Sequence, residues 1–418
     1  MQVCVLGAGI IGLTTAYYLQ QQGVHVTVID RATAGSGASG GNGAQLSYSY
    51  VQPLADPSIW AQLPKLLFAK DSPLKFQPQL DPAQWAWGIK FMAACTAATS
   101  RKNTVALLEL AALSRAGFDD MLAKEKFDCD FAASAKLVLF NTEAGFAGAK
   151  QQLEYQKTLG SEQEAVSPKR CAELEPALAN YAKTIVGAIY TPSECAADCL
   201  MTCLALEKIL KARGVKFLMH TEATGARVEK GHIVAVKTDK HGEIKTDAVV
   251  LACGYQSPAI ARSLGLVGHL PVYPLKGYSI SINTENHEGA PQVSITDSAR
   301  KVVFARLGNR LRVAGMAELV GGNATIPPDR ITSLIASTRA LFGECGDYTE
   351  PNPWTGFRPV TPTALPILGP HKWGPDNLHL NVGQGALGFT LSCGSAQIVA
   401  DNILGKKSTF NAQPFSAL

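Results

Sequence analysis

The chain has 418 residues, of which 46% are hydrophobic and 17% are charged. This composition provides enough apolar residues for a large core and excludes a wholly disordered chain. The net charge of +4 is too small and too evenly spread to indicate nucleic-acid binding. Ten cysteines, none at the spacing of a metal site, predict no bound metal and a reducing compartment.

The first thirty residues predict a strand, a glycine-rich turn, a helix and a second strand, in that order. Apolar runs at 3–6 and 25–29 indicate the strands, and 13–22 indicates a helix that ends at Gly23. Because a buried strand stands where a signal segment would lie, we expect the protein on the cytoplasmic side of the membrane. No apolar run in the sequence is long enough to span a membrane.

The rest of the chain alternates helical stretches with stretches rich in strands and aromatic residues. Helices are predicted at 107–126, 144–159, 197–213, 330–342 and 391–404. Strand patterns occur at 136–140, 187–191, 215–219, 223–228, 233–238, 248–252, 272–282, 300–316 and 377–382. The predicted fold class is α/β (α+β overall), with a Rossmann-like nucleotide-binding domain and a discontinuous, strand-rich substrate domain. The predicted boundaries are 1–48, 196–268 and 354–410 for the nucleotide-binding domain, and 49–195 and 269–353 for the substrate domain.

A Gly-x-Gly-x-x-Gly turn joins the first strand to the first helix, and an acidic residue follows about twenty residues later. The first glycine permits the tight turn, the second lets the backbone approach a pyrophosphate, and the third lets helix and strand pack closely. The helix N-terminus presents free N–H groups to the phosphates. The carboxylate can accept hydrogen bonds from both ribose hydroxyls and would reject a 2′-phosphate. The predicted dinucleotide contacts are Gly7, Gly9, Ile10, Ile11, Gly12, Asp30 and Arg31.

The turn alone fits NAD or FAD, and two later segments favour FAD. Residues 251–254 resemble the strand end that passes the cofactor in flavoproteins with two dinucleotide-binding domains. The glycine-rich segment 383–390 would supply a second helix N-terminus, suited to the ribityl and pyrimidine end of a flavin. The predicted contacts beyond the first turn are Val228, Ala252, Cys253, Gly254, Gly383, Gln384, Gly385, Gly388, Phe389 and Thr390.

Several motifs spread along the chain carry a resemblance to a known family. They are Gly-Asn-Gly-Ala-Gln at 41–45 with Ser47 and Tyr50, Asp198-Cys199, 271–279, 309–318, Trp-Thr-Gly-Phe-Arg-Pro at 354–359, and Cys-Gly-Ser at 393–395. On these motifs the chain resembles the D-amino acid dehydrogenases, within the wider glycine/D-amino acid oxidase family of FAD-dependent oxidoreductases. The resemblance extends from Val5 to about Gly405 and covers nearly the whole chain.

The resemblance implies an FAD cofactor and an arginine that binds the carboxylate of an amino acid substrate. The arginine is Arg358, whose planar guanidinium can bind a carboxylate through two hydrogen bonds. The loop implied to lie near the isoalloxazine ring comprises Asn42, Gly43, Ala44 and Gln45. Two sites beside the flavin depart from the family pattern: Asn-Gly-Ala-Gln replaces Asn-Ala-Gly-Gln, and Gly-Gln384-Gly replaces Gly-His-Gly. These departures leave the electron acceptor open.

The implied reaction is oxidative deamination of an amino acid. The Cα hydrogen leaves as a hydride to flavin N5, and the imino acid hydrolyses to a 2-oxo acid and ammonia; catalysis then consists of orientation and electrostatics. The preference for D-amino acids is implied by the resemblance alone. Tyr50 and Tyr278 are predicted to contact the substrate, ahead of Tyr273, although tyrosines at strand ends more often pack. A basic cluster would either help to hold the carboxylate or be solvated, and its members are Arg306, Arg310 and Arg312.

Dehydrogenases of the resembled type pass electrons to a quinone or a dye, so contact with a membrane would be useful. Residues 59–99 combine aromatic and aliphatic side chains with lysines and hold three of the five tryptophans, a composition that an interfacial contact requires. We therefore expect a quinone-type acceptor and a peripheral contact with the inner membrane. The alternative interpretation is an ordinary pair of apolar helices packed in the substrate domain.

Three other functions stay open on the sequence alone. The first is an oxidase that uses oxygen and acts on glycine, sarcosine or a D-amino acid. The second is a dehydrogenase of proline-like or L-amino acids, because secondary amines suit the same hydride transfer. The third is a flavin-binding subunit without turnover.

Overall fold

The computed structural model describes residues 1–51, 53–57, 59–60 and 74–416. Helices and strands alternate along this part of the chain. The helices are α1 (Ile10–Gln21), α2 (Pro82–Ala94), α3 (Ala97–Glu125), α4 (Glu143–Lys157), α5 (Pro168–Leu174), α6 (Cys199–Ala212), α7 (Ser257–Ser263), α8 (Pro328–Phe342) and α9 (Ser392–Ile403). The strands are β1 (Gln2–Leu6), β2 (His25–Ile29), β3 (Gln45–Leu46), β4 (Leu74–Phe76), β5 (Lys136–Phe140), β6 (Glu164–Val166), β7 (Gly187–Thr191), β8 (Cys195–Ala196), β9 (Lys216–Leu218), β10 (Ala223–Glu229), β11 (His232–Thr238), β12 (Gly242–Lys245), β13 (Ala248–Leu251), β14 (Tyr273–Asn283), β15 (Ser294–Asp297), β16 (Val302–Leu307), β17 (Arg310–Leu319), β18 (Trp354–Val360), β19 (Ile367–Pro370) and β20 (Leu378–Val382).

The first sheet is built on parallel strands in the order β20, β13, β1, β2 and β9, and β19 runs antiparallel beside β20. Its central strands are almost wholly apolar because both faces are covered. Helices α1, α3, α6 and α9 contribute to the core on one face. The β10–β12 hairpins and α7 contribute to the core on the other. This is the Rossmann-like unit that the N-terminal pattern predicts.

The second sheet is mixed and follows the order β18, β14, β17, β16, β15, β5, β7 and β6, with β4 paired to β17. One face packs against α8 around a core that includes Ile280, Phe304 and Val313. Residues that alternate with these, such as Val303 and Ala314, line a cavity on the opposite face. The period of two along each strand therefore separates a packed face from a functional face.

The predicted fold class is confirmed, and the strands predicted at 136–140 and 187–191 have the bounds observed for β5 and β7. The division into two discontinuous domains stays a prediction. One strand departs from it, because β18 falls in the segment assigned to the nucleotide-binding domain but lies in the second sheet. All seven residues from Trp354 to Val360 pair with β14, and these backbone hydrogen bonds hold β18 there.

The stretch predicted to form an interfacial contact is helical in its described part. Asp81 accepts a hydrogen bond from the N–H of Ala83 and Pro82 occupies the first turn, so α2 begins there. Helix α3 begins at Ala97, ten residues before the predicted start, because Thr96 caps its first turn. Among the described residues, no helix combines the length and the apolar character that crossing a membrane requires. The predicted contact residues Leu63, Leu66, Leu67 and Phe68 lie outside the described residues.

Candidate active site

A cavity of about 1230 Å³ extends from the glycine turn of the first sheet to the inner face of the second sheet. Both sheets contribute to its wall, so a bound molecule would touch residues far apart in the sequence. Most of the predicted cofactor contacts line it. They are Gly7, Gly9, Ile10, Ile11, Asp30, Arg31, Asn42, Gly43, Ala44, Gln45, Ala252, Cys253, Gly254, Gln384, Gly385, Gly388 and Phe389. The predicted substrate residues Tyr50, Tyr278 and Arg358 line the same cavity.

Two glycines of the turn are required by close contacts between backbones. A Cβ on Gly7 would lie 2.4 Å from the carbonyl oxygen of Ala252, and its φ of +107° is a conformation that L side chains rarely adopt. A Cβ on Gly12 would lie 1.9 Å from the carbonyl oxygen of Gly7. Gly12 therefore allows α1 to pack against the backbone of the turn, and it does not line the cavity. Above it, the N–H of Ile10 donates to the hydroxyl of Ser39, 3.0 Å away.

The acidic residue at the end of β2 organises the backbone beside the cavity. Oδ2 of Asp30 accepts a hydrogen bond from the N–H of Ala8 at 2.7 Å, and Oδ1 accepts one from the N–H of Ala32 at 2.8 Å. Each carboxylate oxygen has a second lone pair, so both can also accept a hydrogen bond from a ligand hydroxyl. The carboxylate therefore fits the ribose role that the spacing predicts.

Besides Gly12, three predicted cofactor contacts lie away from the cavity surface. Val228 is exposed at the far end of β10, and 221–223 at its start line the cavity instead. Gly383 has a φ of +85°, and a Cβ there would lie 2.5 Å from the Thr361 side chain, so its role is in the turn. Thr390 is buried, and its hydroxyl accepts a hydrogen bond from the N–H of Ser47 at 3.1 Å.

The Asn42–Gln45 loop is fixed onto the second sheet. The Asn42 side-chain oxygen accepts a hydrogen bond from the N–H of Ala44 at 3.0 Å, which accompanies a left-handed φ of +59° at Ala44. Arg312 donates to the carbonyl of Asn42 at 2.9 Å, and the amide nitrogen of Gln45 donates to the carbonyl of Ile295 at 2.9 Å. The loop thus approaches the cavity with its backbone already ordered.

The basic cluster does not face the cavity, and one of its members, Arg312, contacts this loop. Arg310 forms ion pairs with Asp130 at 2.7 Å and with Asp198 at 3.0 Å, while Arg312 is buried beneath Asn42. Arg306 donates to the carbonyl of Gly308 at the strand end. None of the three arginines is part of the cavity wall. The interpretation in which one of them holds the substrate carboxylate therefore has no geometric support.

Arg358 lies in a place shaped for its guanidinium. Nη1 donates to the carbonyl of Met316 at 2.9 Å, and Met316 has a left-handed φ of +63°. A Cβ on Gly277 would lie 2.6 Å from both terminal nitrogens of Arg358, so glycine at 277 leaves the room that the guanidinium occupies. The pairing of β14 with β17 shifts register between Lys276 and Tyr278, beside this contact.

The charge of Arg358 is not compensated by a carboxylate among the described residues. Burial alone lowers the pKa of Arg358 to about 10, so the guanidinium keeps its proton at neutral pH. The side chain is half-buried, and a cation in such a place is stabilised when a ligand anion pairs with it. The arrangement therefore suits a bound anion with the geometry of a carboxylate or phosphate.

The predicted tyrosines have different surroundings. Tyr50 lines the cavity, and burial raises the pKa of its hydroxyl. The hydroxyl of Tyr278 donates to Glu318 at 2.7 Å, and Glu318 is paired with Arg330 at 2.8 Å, so this hydroxyl is already engaged within the second sheet. Tyr273 donates to Asp81 at 3.0 Å and lies outside the cavity wall. Tyr50 is thus the tyrosine with the clearest access to a ligand.

Sequence reasoning missed several residues of the cavity wall. Lys136 points into the cavity from β5, and its pattern indicated only a strand residue. The indole of Trp354 packs so closely on Gly41 and Gly356 that a Cβ on either would lie within 2.3 Å of the ring. The glycine at 356, two residues after Trp354, was the sequence signal for this close packing. The signal can be interpreted only once the pairing of β18 with β14 is known.

Metal-binding chemistry is not indicated in the part of the chain that the structure describes. No group of three or more His, Cys, Asp or Glu side chains is placed to hold an ion there. Cys199 and Cys203 are buried on α6, and Cys195 is buried in β8. These thiols belong to the hydrophobic core of the first sheet.

Comparison with known proteins identifies the family. The profile of the DAO family, described as FAD dependent oxidoreductase, matches residues 2–402. D-amino acid dehydrogenase 2 from Ralstonia nicotianae is 43% identical over 100% of this chain and 99% of its own length. The solved structure of glycine oxidase from Geobacillus kaustophilus superposes with a TM-score of 0.78 at 21% identity, covering 100% of this chain and 98% of that one. L-proline dehydrogenase from P. horikoshii gives a TM-score of 0.77 at 19% identity, with 99% and 96% covered.

The chain belongs to the DAO family of FAD dependent oxidoreductases. It is an oxidoreductase with FAD as its cofactor. Two features of the cavity fit FAD. The turn at Gly7 and Gly12 has no room for side chains, so backbone can approach a pyrophosphate, and the Asp30 carboxylate has lone pairs free to accept hydrogen bonds from ribose hydroxyls. The similarity to the two solved structures shows the fold alone.

Proposed function

We propose that this flavoenzyme oxidatively deaminates D-amino acids. The observation that carries the proposal is Arg358, an uncompensated guanidinium in the wall of the cavity that would hold FAD. The name of the relative from Ralstonia nicotianae, 43% identical over the whole chain, supports D-amino acids as the substrate class. FAD supplies the two-electron acceptor for the hydride that leaves Cα.

Arg358 would bind the substrate carboxylate through a pair of hydrogen bonds and so fix the orientation of Cα. The carbonyl of Met316 holds one of its nitrogens, which leaves the others for the substrate. Leu275, Phe91 and Val360 belong to the same wall and would exclude water from the reacting carbon. The hydroxyl of Tyr50 would donate a hydrogen bond to the substrate, because it has no other hydrogen-bond partner among the described residues.

The proposal is tested by mixing the purified holoenzyme with D- and L-amino acids without oxygen and following the flavin absorbance. We expect D-amino acids to bleach the wild-type flavin. Arg358→Ala should raise the apparent Kd roughly 100-fold, because charge-assisted hydrogen bonds are lost. Arg306→Ala, on the same sheet but outside the cavity wall, is the matched control and should bind as wild type does. Bleaching of the Arg358→Ala variant at wild-type affinity would refute the carboxylate assignment.

The same reaction distinguishes the other functions. Reduction by L-proline or other L-amino acids in preference to D-amino acids would favour the second open function. Stoichiometric hydrogen peroxide under air would identify an oxidase in place of a dehydrogenase with a quinone-type acceptor. A flavin that no amino acid bleaches would indicate a subunit without turnover.

A quinone acceptor and peripheral contact with the inner membrane are part of the proposal. Trp60, Trp85 and Ile89 are 52%, 50% and 70% exposed, and Lys90 is exposed beside Ile89, as an interfacial surface requires. Helix α2 also supplies Phe91 to the cavity wall, so this surface adjoins the cavity. Trp87 does not contribute, because it is buried and donates to the carbonyl of Val360.

The membrane contact is tested by flotation of the protein with anionic liposomes at low salt. Wild type should float, and Trp85→Ser and Lys90→Glu should each reduce the floated fraction. Leu204→Ser removes an exposed apolar side chain on α6 and should have no effect. If wild-type protein stays in the soluble fraction without detergent, the peripheral contact is excluded.

A further inference from the structure

Lys136 is a buried cation that the proposed reaction does not use. Its side chain is on β5 and only 3% of the residue is exposed, yet it lines the cavity. The ammonium Nζ donates to the hydroxyl of Ser47 at 2.7 Å and lies 4.4 Å from the centre of the Tyr50 ring. Burying an ammonium costs several kcal/mol unless nearby groups compensate it, so these contacts call for an explanation.

The compensating group is Glu194, which is 1% exposed and acts electrostatically on Lys136. The two oxygens of Glu194 accept hydrogen bonds from the N–H groups of Tyr48 at 2.8 Å and Ser49 at 2.7 Å. Both charged side chains therefore contact one short segment, Ser47–Tyr50: Glu194 binds its backbone, and Lys136 contacts the side chains of Ser47 and Tyr50. This segment connects the Asn42–Gln45 loop to Tyr50 in the cavity wall.

Two neutral side chains also form hydrogen bonds with the Ser47–Tyr50 segment. The side chain of Gln156 on α4 donates to the carbonyl of Ser49 at 3.1 Å, and Thr390 accepts from the N–H of Ser47. The Tyr50 ring also packs against the apolar cluster of Val138, Leu153 and Ile189, and Lys136 lies against its face. Removing the ammonium would leave Glu194 buried without its cation, and the Tyr50 ring would lose its contact with the Lys136 ammonium.

We propose that Lys136, together with Glu194, is a positioning residue that holds the Ser47–Tyr50 segment and so keeps Tyr50 in the wall of the substrate cavity. The inference rests on the proposed function only where it assigns Tyr50 to the substrate. The positioning itself depends on the contacts of the segment.

The proposal has a consequence for pH dependence. Burial lowers the pKa of Lys136 to about 8, while the charge of Glu194 opposes this shift. The residues paired with Lys136 on the neighbouring strands, Ser294 and Thr191, are neutral, and burial raises the pKa of Tyr50 away from this range. Lys136 therefore loses its charge as the pH rises through about 8, whereas Arg358, with a pKa of about 10, keeps its charge. The contacts that hold Tyr50 in the cavity wall should therefore weaken as the pH rises through about 8.

The test measures binding of benzoate to the holoenzyme between pH 6.5 and 9.5. Benzoate is a carboxylate that has no amine, so the ligand itself does not titrate in this range. Binding is followed by perturbation of the flavin spectrum. The wild-type Kd should rise roughly tenfold across pH 8, which corresponds to about 1.4 kcal/mol. Lys136→Arg should bind as wild type does at pH 7 and remain flat to pH 9.5, because arginine keeps its charge. Lys136→Met should bind roughly tenfold more weakly at every pH.

A second measurement does not depend on ligand binding. Hydrogen exchange of the peptide that contains Ser47–Tyr50 should be at least roughly tenfold faster in Lys136→Met than in wild type, and close to wild type in Lys136→Arg. The matched control is Lys150→Met, which removes an exposed lysine that also stacks on a ring, that of Phe146. It should change neither readout.

The outcomes separate the two proposals. Unchanged exchange in Lys136→Met, or a Lys136→Arg profile with the wild-type pH dependence, would overturn the positioning role. If exchange behaves as expected but neither benzoate nor D-amino acids affect the flavin, the positioning stands and the proposed substrate class fails.

Discussion

The position of the Arg358 guanidinium depends on the absence of a side chain at Gly277. The guanidinium occupies the volume that any side chain at 277 would fill, and both terminal nitrogens would lie 2.6 Å from an added Cβ. Because the carbonyl of Met316 fixes one nitrogen, the guanidinium cannot move away without losing that hydrogen bond. The position of the substrate anchor is thus determined by β14 as much as by β18.

Gly277→Ala should therefore weaken substrate binding while leaving the flavin in place. We expect KM for a D-amino acid to rise roughly tenfold, because displacement of the guanidinium costs a charge-assisted hydrogen bond. The kcat and the flavin content should change less than twofold, since the glycine turn is untouched. Steady-state kinetics measure KM and kcat, and the flavin-to-protein absorbance ratio measures the flavin content. Gly322→Ala, where an added Cβ meets nothing, is the control; a Gly277→Ala enzyme with wild-type KM would contradict the interpretation.

Individual site residues differ in how far the sequence could predict them. The motif around Arg358 and the spacing of Asp30 from the turn predict that these residues face the ligand, and both line the cavity; their roles stay predictions. The hydroxyl of Tyr278 was assigned to the substrate, but Glu318 lies forty positions away in the chain and accepts its hydrogen bond. Lys136 could not be predicted, because its approach to Tyr50 depends on how β5 packs against a distant loop.

At the level of elements, the connection between β1 and α1 is tightly constrained by contacts between backbones. The turn passes so close to the end of β13 and to itself that Gly7 and Gly12 have no room for a methyl group. The N-terminus of α1 is held at the cavity by this contact. The same constraint made the element predictable, because only a few residue types can occupy these positions.

Gly12→Ala should abolish FAD binding or the folding of the first sheet. The added methyl would lie 1.9 Å from the carbonyl of Gly7, so the turn must open and α1 must shift. We expect purified protein to retain less than about a tenth of the wild-type flavin, since even a loss of 1.4 kcal/mol lowers affinity tenfold. The flavin-to-protein absorbance ratio reports the result. Gly88→Ala on α2, where an added Cβ is free, should load FAD normally.

Helix and strand boundaries were predictable where the local pattern was complete. The bounds of β5 and β7 follow from short apolar runs, and α6 follows from Asp198, which caps its first turn. Helix α3 extends ten residues further towards its N-terminus than predicted, because 97–106 is polar and its cap at Thr96 is weak as a sequence signal. In this polar part, the side chain of Asn103 donates to the carbonyl of Thr363 at 2.8 Å, a tertiary contact that the local sequence does not reveal.

At the scale of the whole molecule, stability in acid should depend on a histidine in the first sheet. His379 is buried in β20, and among the described residues its Nδ1 has no hydrogen-bond partner. Burial lowers the pKa of His379 from 6.5 to about 4, so the folded protein favours the neutral ring. Its contribution is complete above pH 6.5 and is lost as the pH falls towards 4, because the unfolded chain binds the proton first.

Urea unfolding of wild-type protein should therefore show a loss of up to about 3 kcal/mol from His379 between pH 6.5 and 4. His379→Gln should remove that part of the pH dependence. His241→Gln replaces an exposed histidine and should unfold as wild type does at each pH. Parallel stability curves for His379→Gln and wild type would rule out the assignment.

The pairing of β1 with β13 has a consequence for the synthesis of the chain. Val3 pairs with Ala248, and the glycine turn closes against Ala252, so both wait for residues from the middle of the sequence. At ribosomal rates of about 5–20 residues per second, roughly ten to fifty seconds pass before these residues exist. During that interval the nascent N-terminus has an open apolar edge on β1 and no complete pocket for a coenzyme. Loading of the coenzyme only after translation has passed β13 is the order of events that this topology requires.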